Sequence, residues 1–245
     1  MTTKTSYLPG EPIWSDLSTP DQAESAAFYG PLLGWTASSP QPEFGGYASF
    51  LLDGRKVAGV LPLMAPGQPP SWTCYLCSDD ADTTAALVEQ AGGTVLAAPM
   101  DVGDLGRMAV FVDPAGAVFG VWQPGTHTGS ELVDQEGAQS WLELTADDPA
   151  AAPAFYGQTL GWEAKQSPAY VEFTLAGRAV AGCTDPSQGT SGWLPYFEVA
   201  DPAAKADQAV ALGGAVVLPF TTFDGGSCAI VRDPHGATFG LLHSS

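Results

Sequence analysis

Positive charge is scarce in this chain. Of its 245 residues only 8 are Lys or Arg, against 27 Asp or Glu, a formal net charge of −19. Neutralising nucleic-acid phosphates or an anionic membrane surface takes clustered Lys and Arg. Here the basic residues are scattered singly, so nucleic acid and membrane are both excluded as expected partners. The acidity serves solubility first, but its field also favours a cationic or amine-bearing ligand over an anionic one. Histidine is nearly as rare, with His127, His235 and His243 as the whole set. Four cysteines make no disulfide scaffold. Cys74 and Cys77 have redox-motif spacing, but Trp72–Cys77 reads as a strand, where residues three apart point to opposite faces. A reactive C-x-x-C would sit at a helix N-terminus. No run approaches the about 18–20 apolar residues of a membrane helix, and Met1 to Gly10 lacks the basic and apolar regions of a signal peptide. Buried thiols in a cytoplasmic protein are the expectation. A nucleophile elbow, a phosphate loop and a dinucleotide fingerprint are also missing.

What the chain does have is internal repetition. Ile13-Trp-Ser-Asp-Leu-Ser-Thr, then Ala27-Phe-Tyr-Gly, then Leu33-Gly-Trp35 return as Ser140-Trp-Leu-Glu-Leu-Thr, Ala154-Phe-Tyr-Gly and Leu160-Gly-Trp162. Gly54-Arg-Lys-Val-Ala-Gly59 matches Gly177-Arg-Ala-Val-Ala-Gly182, and Asp113-Pro-Ala-Gly matches Asp233-Pro-His-Gly. The copies span 10–124 and 137–243, and the polar, Gly-rich stretch 125–136 between them suits a linker.

Each copy divides again. Trp14 to Thr19 alternates as a strand does. Asp21 to Leu33 opens after Pro20, contains good helix formers and stops at Gly34. Strands are expected around Tyr47–Leu52 and Arg55–Leu63, with a third bridging into the second half. A strand at Trp72–Ser78 and a helix at Ala81–Ala91 closed by Gly92-Gly93 follow. Strands near Thr94–Ala98, Gly106–Asp113 and Ala117–Trp122 complete the copy. One helix per group of strands indicates an α+β fold.

These elements resemble the vicinal oxygen chelate family, which contains glyoxalases, bleomycin-resistance proteins and extradiol dioxygenases. The resemblance rests on the opening strand followed by Asp21 or Asp148, the helix carrying Phe28-Tyr29 or Phe155-Tyr156, the Leu-Gly-Trp after it, and Asp-Pro-x-Gly before the last strand. It covers nearly the whole chain, twice. It implies four tandem βαβββ units forming two domains of curved mixed-sheet cups, as in fused members from antibiotic-producing bacteria. The family's enzymes hold a divalent metal with His or Glu on three strands. The resemblance puts those positions at Trp14 or Trp141, near Thr73 or Leu194, and at Gly120 or Gly240. Trp, Gly and Leu side chains do not ligate metal, and His127, His235 and His243 are expected in linker, turn and terminal roles. No metal and no cofactor are therefore expected.

Strand alternation sets Trp14, Asp16 and Ser18 on one face and Trp141, Glu143 and Thr145 on its counterpart. The resemblance turns that face into the cup, with Tyr75 and Tyr196 on the facing strands and Tyr47 and Tyr170 after Gly- or Pro-rich turns. Trp35 and Trp162 read as structural. An acid inside an apolar strand face costs free energy unless partnered, and both copies carry one. Aromatic walls suit a planar fused-ring ligand, and a carboxylate suits an amine or hydroxyl. The resulting expectation is a metal-independent binder of an aromatic, polyketide-like natural product, with Trp14, Asp16, Tyr47, Tyr75, Trp141, Glu143, Tyr170 and Tyr196 as ligand-binding residues. It would sequester a drug or pathway product, in self-resistance or in aid of a partner biosynthetic oxygenase. The rival readings are a metal-free hydroxylase, isomerase or cyclase using Asp16 or Glu143 as acid or base, a metal lyase or dioxygenase with unusual ligands, and a scaffold.

Overall fold

The computed structural model describes residues 3–167, 170–186 and 192–244. The first copy runs β1 (Pro12–Thr19), α1 (Gln22–Leu33), β2 (Thr36–Ala37), β3 (Ala48–Leu52), β4 (Arg55–Pro62), β5 (Ser71–Cys77), α2 (Ala81–Gln90), β6 (Thr94–Val102), β7 (Gly106–Val112) and β8 (Val118–Pro124). The second repeats it as β9 (Gln139–Thr145), α3 (Ala152–Leu160), β10 (Glu163–Gln166), β11 (Val171–Leu175), β12 (Arg178–Thr184), β13 (Gly192–Glu198), α4 (Pro202–Ala211), β14 (Ala215–Phe223), β15 (Gly226–Arg232) and β16 (Thr238–Ser244). Each copy forms one eight-stranded mixed sheet, ordered β2-β3-β4-β1-β5-β8-β7-β6 and β10-β11-β12-β9-β13-β16-β15-β14. The first strands of the two units in a copy pair antiparallel at its centre, β1 with β5 and β9 with β13. This is the expected α+β arrangement of tandem βαβββ units.

One strand was misplaced by the sequence reading. The third strand of the opening unit does not bridge onward after Arg55–Leu63. It is β2, two residues just past the helix, pairing Thr36 with Leu51 and Ala37 with Phe50. So short a segment leaves no alternation to read.

The helices start and stop where their chemistry dictates. Asp21 caps α1, accepting from the backbone N–H of Ala23 and Glu24, and Gly34 ends it in the left-handed conformation at φ 80°, which glycine adopts without strain. Asp148 does not cap α3: its Oδ1 accepts from the Ala150 N–H, and α3 begins later, at Ala152.

The helices lie between the sheets, and the two hydrophobic cores are shared crosswise. One joins Leu17, Tyr29, Trp35 and Phe50 of the first unit to Phe197, Val231 and Phe239 of the last. The other joins Phe111 and Phe119 of the second unit to Tyr156, Trp162 and Phe173 of the third. The Leu-Gly-Trp tryptophans stitch this arrangement together: Trp35 donates to Gly137 O at 2.6 Å and Trp162 to Gly10 O at 2.8 Å, each reaching the lead-in of the other copy. Their structural reading stands on these bonds. The segment between the copies is packed rather than loose, with Leu132 fully buried in the first core. Cys74 faces the interface core and Cys77 the opposite face, clustered with Ile13, Trp14, Tyr75 and Trp122. Both are free thiols, as strand alternation requires. No helix among the described residues is long and apolar enough to cross a membrane.

Candidate functional site

With one face of each sheet covered by helices, the other is left to line a cup. On β1, Leu17 enters the interface core while Trp14, Asp16 and Ser18 line a cavity of about 1600 Å³. Cross-strand register assembles the floor. Trp14 pairs with Tyr75, and Tyr75 in turn with Gly120 of β8. Asp16 pairs with Thr73 on one side and Gly59 on the other.

A four-residue unit results. The Trp14 indole N–H donates to the Tyr47 hydroxyl at 2.7 Å. Tyr47 lies beside Asp16, and Tyr75 hydrogen-bonds to it. Asp16 is only 7% exposed. Burial pushes its pKa from 3.8 to about 7, and the Tyr75 hydrogen bond offsets part of that rise. Arg55 does not neutralise it, being exposed at the far end of β4.

The second copy repeats the unit. Tyr196 and Tyr170 donate to Glu143 at 3.0 and 3.2 Å, and Trp141 Nε1 donates to the Tyr170 hydroxyl at 3.2 Å. Burial raises the Glu143 pKa, and the two tyrosine hydrogen bonds oppose that rise. All eight residues singled out from the sequence thus converge, four to each copy. Two glycines make room for them. A Cβ at Gly59 would overlap the Tyr47 hydroxyl, and one at Gly182 the Tyr170 hydroxyl.

The copies differ around this shared floor. The large cavity belongs to the first, where it is walled by Trp14, Tyr75, Trp122 and Met108, with exposed Met64, Leu96 and Met100 at its mouth. It extends past Trp72 and Thr73 to Trp193 and Leu194 of the second copy. In the second copy Leu194 stands opposite Glu143, where the first copy has Thr73 opposite Asp16. Leu194 is buried with Tyr196, Ile230 and Leu242. The described residues lining the large cavity include Asp16, Glu43, Asp101 and Asp147 but no Lys or Arg. Of these acids, Asp101 is ion-paired to Arg107 at 2.8 Å.

The positions where the family places a metal do not fit one. The register sets Tyr75 between Trp14 and Gly120, two residues along the same strand from Thr73, near which the resemblance put the middle position. A Cβ at Gly120 would overlap the Tyr75 ring, and one at Gly240 the Tyr196 ring. The volume a ligating side chain would need is filled by an aromatic ring. The described residues contain no group of three or more His, Cys, Asp or Glu able to hold a metal.

One site residue escaped the sequence reading. His127, expected in a linker role, lines the first cup. It meets Trp14 edge to face with centroids 4.6 Å apart and Trp122 at 5.5 Å. Its backbone carbonyl accepts from Trp122 Nε1 at 2.9 Å, and its N–H donates to Leu105 O at 3.0 Å. Burial, with Lys56 nearby, lowers its pKa from 6.5 to about 4, so the imidazole is neutral at pH 7. The repeat gave no clue, because this segment lies outside both copies. His235 sits in its turn as expected, 3.3 Å from Glu24, and His243 is largely exposed, 3.5 Å from Glu198.

The chain matches the family model of the glyoxalase-like domain twice, over residues 14–122 and 141–242. An anthracycline biosynthesis protein of Streptomyces peucetius, DnrV, is 39% identical over 97% of this chain and 94% of its own length. A putative glyoxylase of Mycobacterium tuberculosis, CFP32, is 37% identical over 99% and 98%. In fold, the chain resembles the Mn(II)-bound glyoxalase of Novosphingobium aromaticivorans (TM-score 0.66, 15% identity, 96% of this chain and 82% of that one). It also resembles the 2,3-dioxygenase LapB of Pseudomonas sp. KL28 (TM-score 0.69, 13% identity, 98% and 94%). With both copies matched and the crosswise core uniting them, the chain belongs to the glyoxalase-like family of the vicinal oxygen chelate fold.

Proposed function

We propose that this protein binds a planar, fused-ring, amine-bearing natural product in its first cup, without a metal. The observation that carries this reading is the cavity itself. It is large, walled by aromatic and Met side chains, free of Lys and Arg among its described lining, and holds a buried carboxylate at its floor. A mostly apolar pocket with a few placed polar groups is the usual form of a small-molecule site. Trp14, Tyr75 and Trp122 offer ring faces and edges for stacking. Asp16 ionises fully once an ammonium group approaches, because the added positive charge offsets the burial that raised its pKa. Exposed Met64 and Met100 give the mouth an adaptable apolar lip. The likeness to DnrV, an anthracycline biosynthesis protein, supports an anthracycline-like ligand and a service in antibiotic biosynthesis or self-resistance. Sequestering a drug, or a product that inhibits a partner oxygenase, is the activity such a cup supports.

Fluorescence titration with an anthracycline tests this. Micromolar quenching of tryptophan emission, with weakened binding in Trp14→Phe, is expected. Absence of quenching, with Trp14→Phe identical to the unaltered protein, would overturn the reading.

A second reading draws on Asp16 alone. A carboxyl group titrating at about 7 is matched to proton transfer near neutral pH, and Tyr75 is in place to hold it. A metal-free enzyme of the same pathway would use Asp16 as general base. Turnover by chelator-treated protein, lost in Asp16→Asn, distinguishes it from simple binding.

A further inference from the structure

We infer that His127 is a ligand-contacting residue of the first cup, and that it selects aromatic ligands carrying a phenolic hydroxyl at the ring edge. This rests on the proposed reading of the cup as an aromatic-ligand site and adds a specificity determinant to it. The inference begins from how the imidazole is held. The segment carrying it is pinned to the turn before β7 and to β1: the Gly125 and His127 N–H groups both donate to Leu105 O, and the Ser130 N–H donates to Ile13 O. Trp14 and Trp122 pack against the ring, but their indole N–H groups are committed to the Tyr47 hydroxyl and the His127 carbonyl. Among the described residues neither ring nitrogen has a hydrogen-bond partner. The nitrogens are not sealed off either. Among the described residues, the fully buried polar side-chain atoms left without partners are Ser140 Oγ and His235 Nε2, and His127 is not among them. The imidazole is thus a fixed group that lines the cavity with ring nitrogens left unpartnered.

Its chemistry sets the ligand class. A neutral imidazole carries one N–H and one lone pair, so it cannot recognise an anion by charge. Besides it, the cup offers the Tyr47 and Tyr75 hydroxyls, a carboxylate already bonded by Tyr75, and the hydroxyls of Ser18, Ser71 and Thr73. The imidazole lone pair adds a neutral acceptor beside an indole edge. That suits a weakly acidic hydroxyl on a ring stacked in the cup. Asp16 then takes the amine and His127 the hydroxyl, at two separate points of one ligand. The match is confined to the first copy, because the segment that supplies His127 follows β8 and lies outside the repeat.

The test uses two probes, a 2-hydroxyanthraquinone bearing an alkylamine chain and its 2-methoxy counterpart, titrated into the full chain and into His127→Phe. Phe keeps the edge contact with Trp14 and removes both nitrogens. The unaltered protein is expected to prefer the hydroxy probe by about tenfold, the scale of one hydrogen bond whose loss leaves a partner unpaired. In His127→Phe the preference should fall to near one. An independent readout needs no variant. In protein labelled with 15N-histidine, the His127 ring signals should move with the hydroxy probe and stay in place with the methoxy probe. If both probes bind but His127→Phe keeps the preference, or the His127 signals do not move with the hydroxy probe, the inference fails and the cup reading survives. If neither probe binds the unaltered protein, both fail.

Discussion

The Tyr29 hydroxyl donates to Asp233 Oδ2 across the two copies, at 3.0 Å, while accepting from the Trp72 indole at 3.1 Å. Tyr156 mirrors it, donating to Asp113 Oδ2 at 2.8 Å and accepting from Trp193 at 2.9 Å. The other carboxylate oxygen of each aspartate gathers the N–H groups of its own turn, Ala115 and Ala117 in one copy and His235, Gly236 and Ala237 in the other. The Phe-Tyr and Asp-Pro-x-Gly motifs are therefore two halves of one buried latch, made twice. Tyr29→Phe would strand an indole N–H and a carboxylate oxygen inside the core. A loss of about 2–3 kcal/mol is expected, since bonds to charged groups and unsatisfied buried partners both fall in that range. Denaturant unfolding of Tyr29→Phe, Asp233→Asn and the double variant checks it. The double should cost less than the sum of the singles, because the two residues share one interaction.

Asp16 should make the protein less stable as pH rises. Its pKa is about 7 in the fold against 3.8 as a free side chain. Between those values the folded state keeps a proton that the unfolded chain has released, so stability falls with rising pH across that interval and levels off above it. The full cost is of order 4 kcal/mol, at about 1.4 kcal/mol per tenfold. Asp16→Asn keeps a polar side chain for Tyr75 and removes the titration. It should melt higher than the unaltered protein at pH 8 and match it near pH 4, while binding an amine-bearing ligand more weakly. An equal melting difference at both pH values would contradict this assignment.

His127 works in the opposite sense. Its pKa is lowered from 6.5 to about 4, so the unfolded state takes up a proton that the fold refuses, and stability falls as pH drops through that range. In the unaltered protein the Asp16 effect opposes it. In Asp16→Asn the His127 effect should stand exposed as a stability loss between pH 6.5 and 4, and adding His127→Phe should flatten it. Thermal melts of the two variants across that interval would show the difference.

The glycines at the family's last ligand positions predict how the site responds to metal. Gly120→Ala must push the Tyr75 ring aside, and Gly240→Ala the Tyr196 ring, because backbone and ring already share that space. Overpacking of this kind costs about 1–3 kcal/mol. Mn(II) or Zn(II) added at a few equivalents should leave the melting temperature of the unaltered protein in place, since a metal that bound only the folded state would raise it. A dose-dependent rise would show donors that the floor geometry does not reveal.

How much of this was readable in the sequence follows from what repeats. The units, the two acids and their tyrosines were legible because each occurs twice and strand alternation assigns its face. The crosswise latch was not, because nothing in Phe28-Tyr29 or Asp233-Pro-His-Gly says that their partners lie in the opposite copy. His127 was hidden for the complementary reason: it occurs once, in a stretch whose Gly and polar residues look like solvent-exposed chain. Its placement depends on backbone bonds to Leu105, which no pattern of side chains announces. Tyr75 was read as cavity-facing because alternation fixes the face a residue uses; its rung on the ladder, opposite Trp14, comes only from the register.

That rung also predicts why the copies differ. Thr73 faces Asp16 from the next strand and Leu194 faces Glu143, so the same place in the two floors holds a small polar side chain in one and a branched apolar one in the other. Thr73 lines the cavity beside Asp16, while Leu194, at the cavity's end in the second copy, packs against Tyr196, Ile230 and Leu242. Replacing Thr73 by Leu adds bulk on the ligand side rather than in the packed core, so the fold should tolerate it. The approach to Asp16 narrows as it does in the second copy. Thr73→Leu is therefore expected to melt within a few degrees of the unaltered protein yet lose at least about tenfold in affinity for an anthracycline, the scale of one misplaced hydrophobic group or lost hydrogen bond. Leu194→Ala, at the end of the cavity remote from Asp16, should weaken that affinity far less than Thr73→Leu while losing about 2–5 kcal/mol of stability from the space opened beside Tyr196. Titration and denaturant unfolding of the two variants side by side separate these effects. If Leu194→Ala abolished binding and Thr73→Leu did not, the second cup would have to be the binding site.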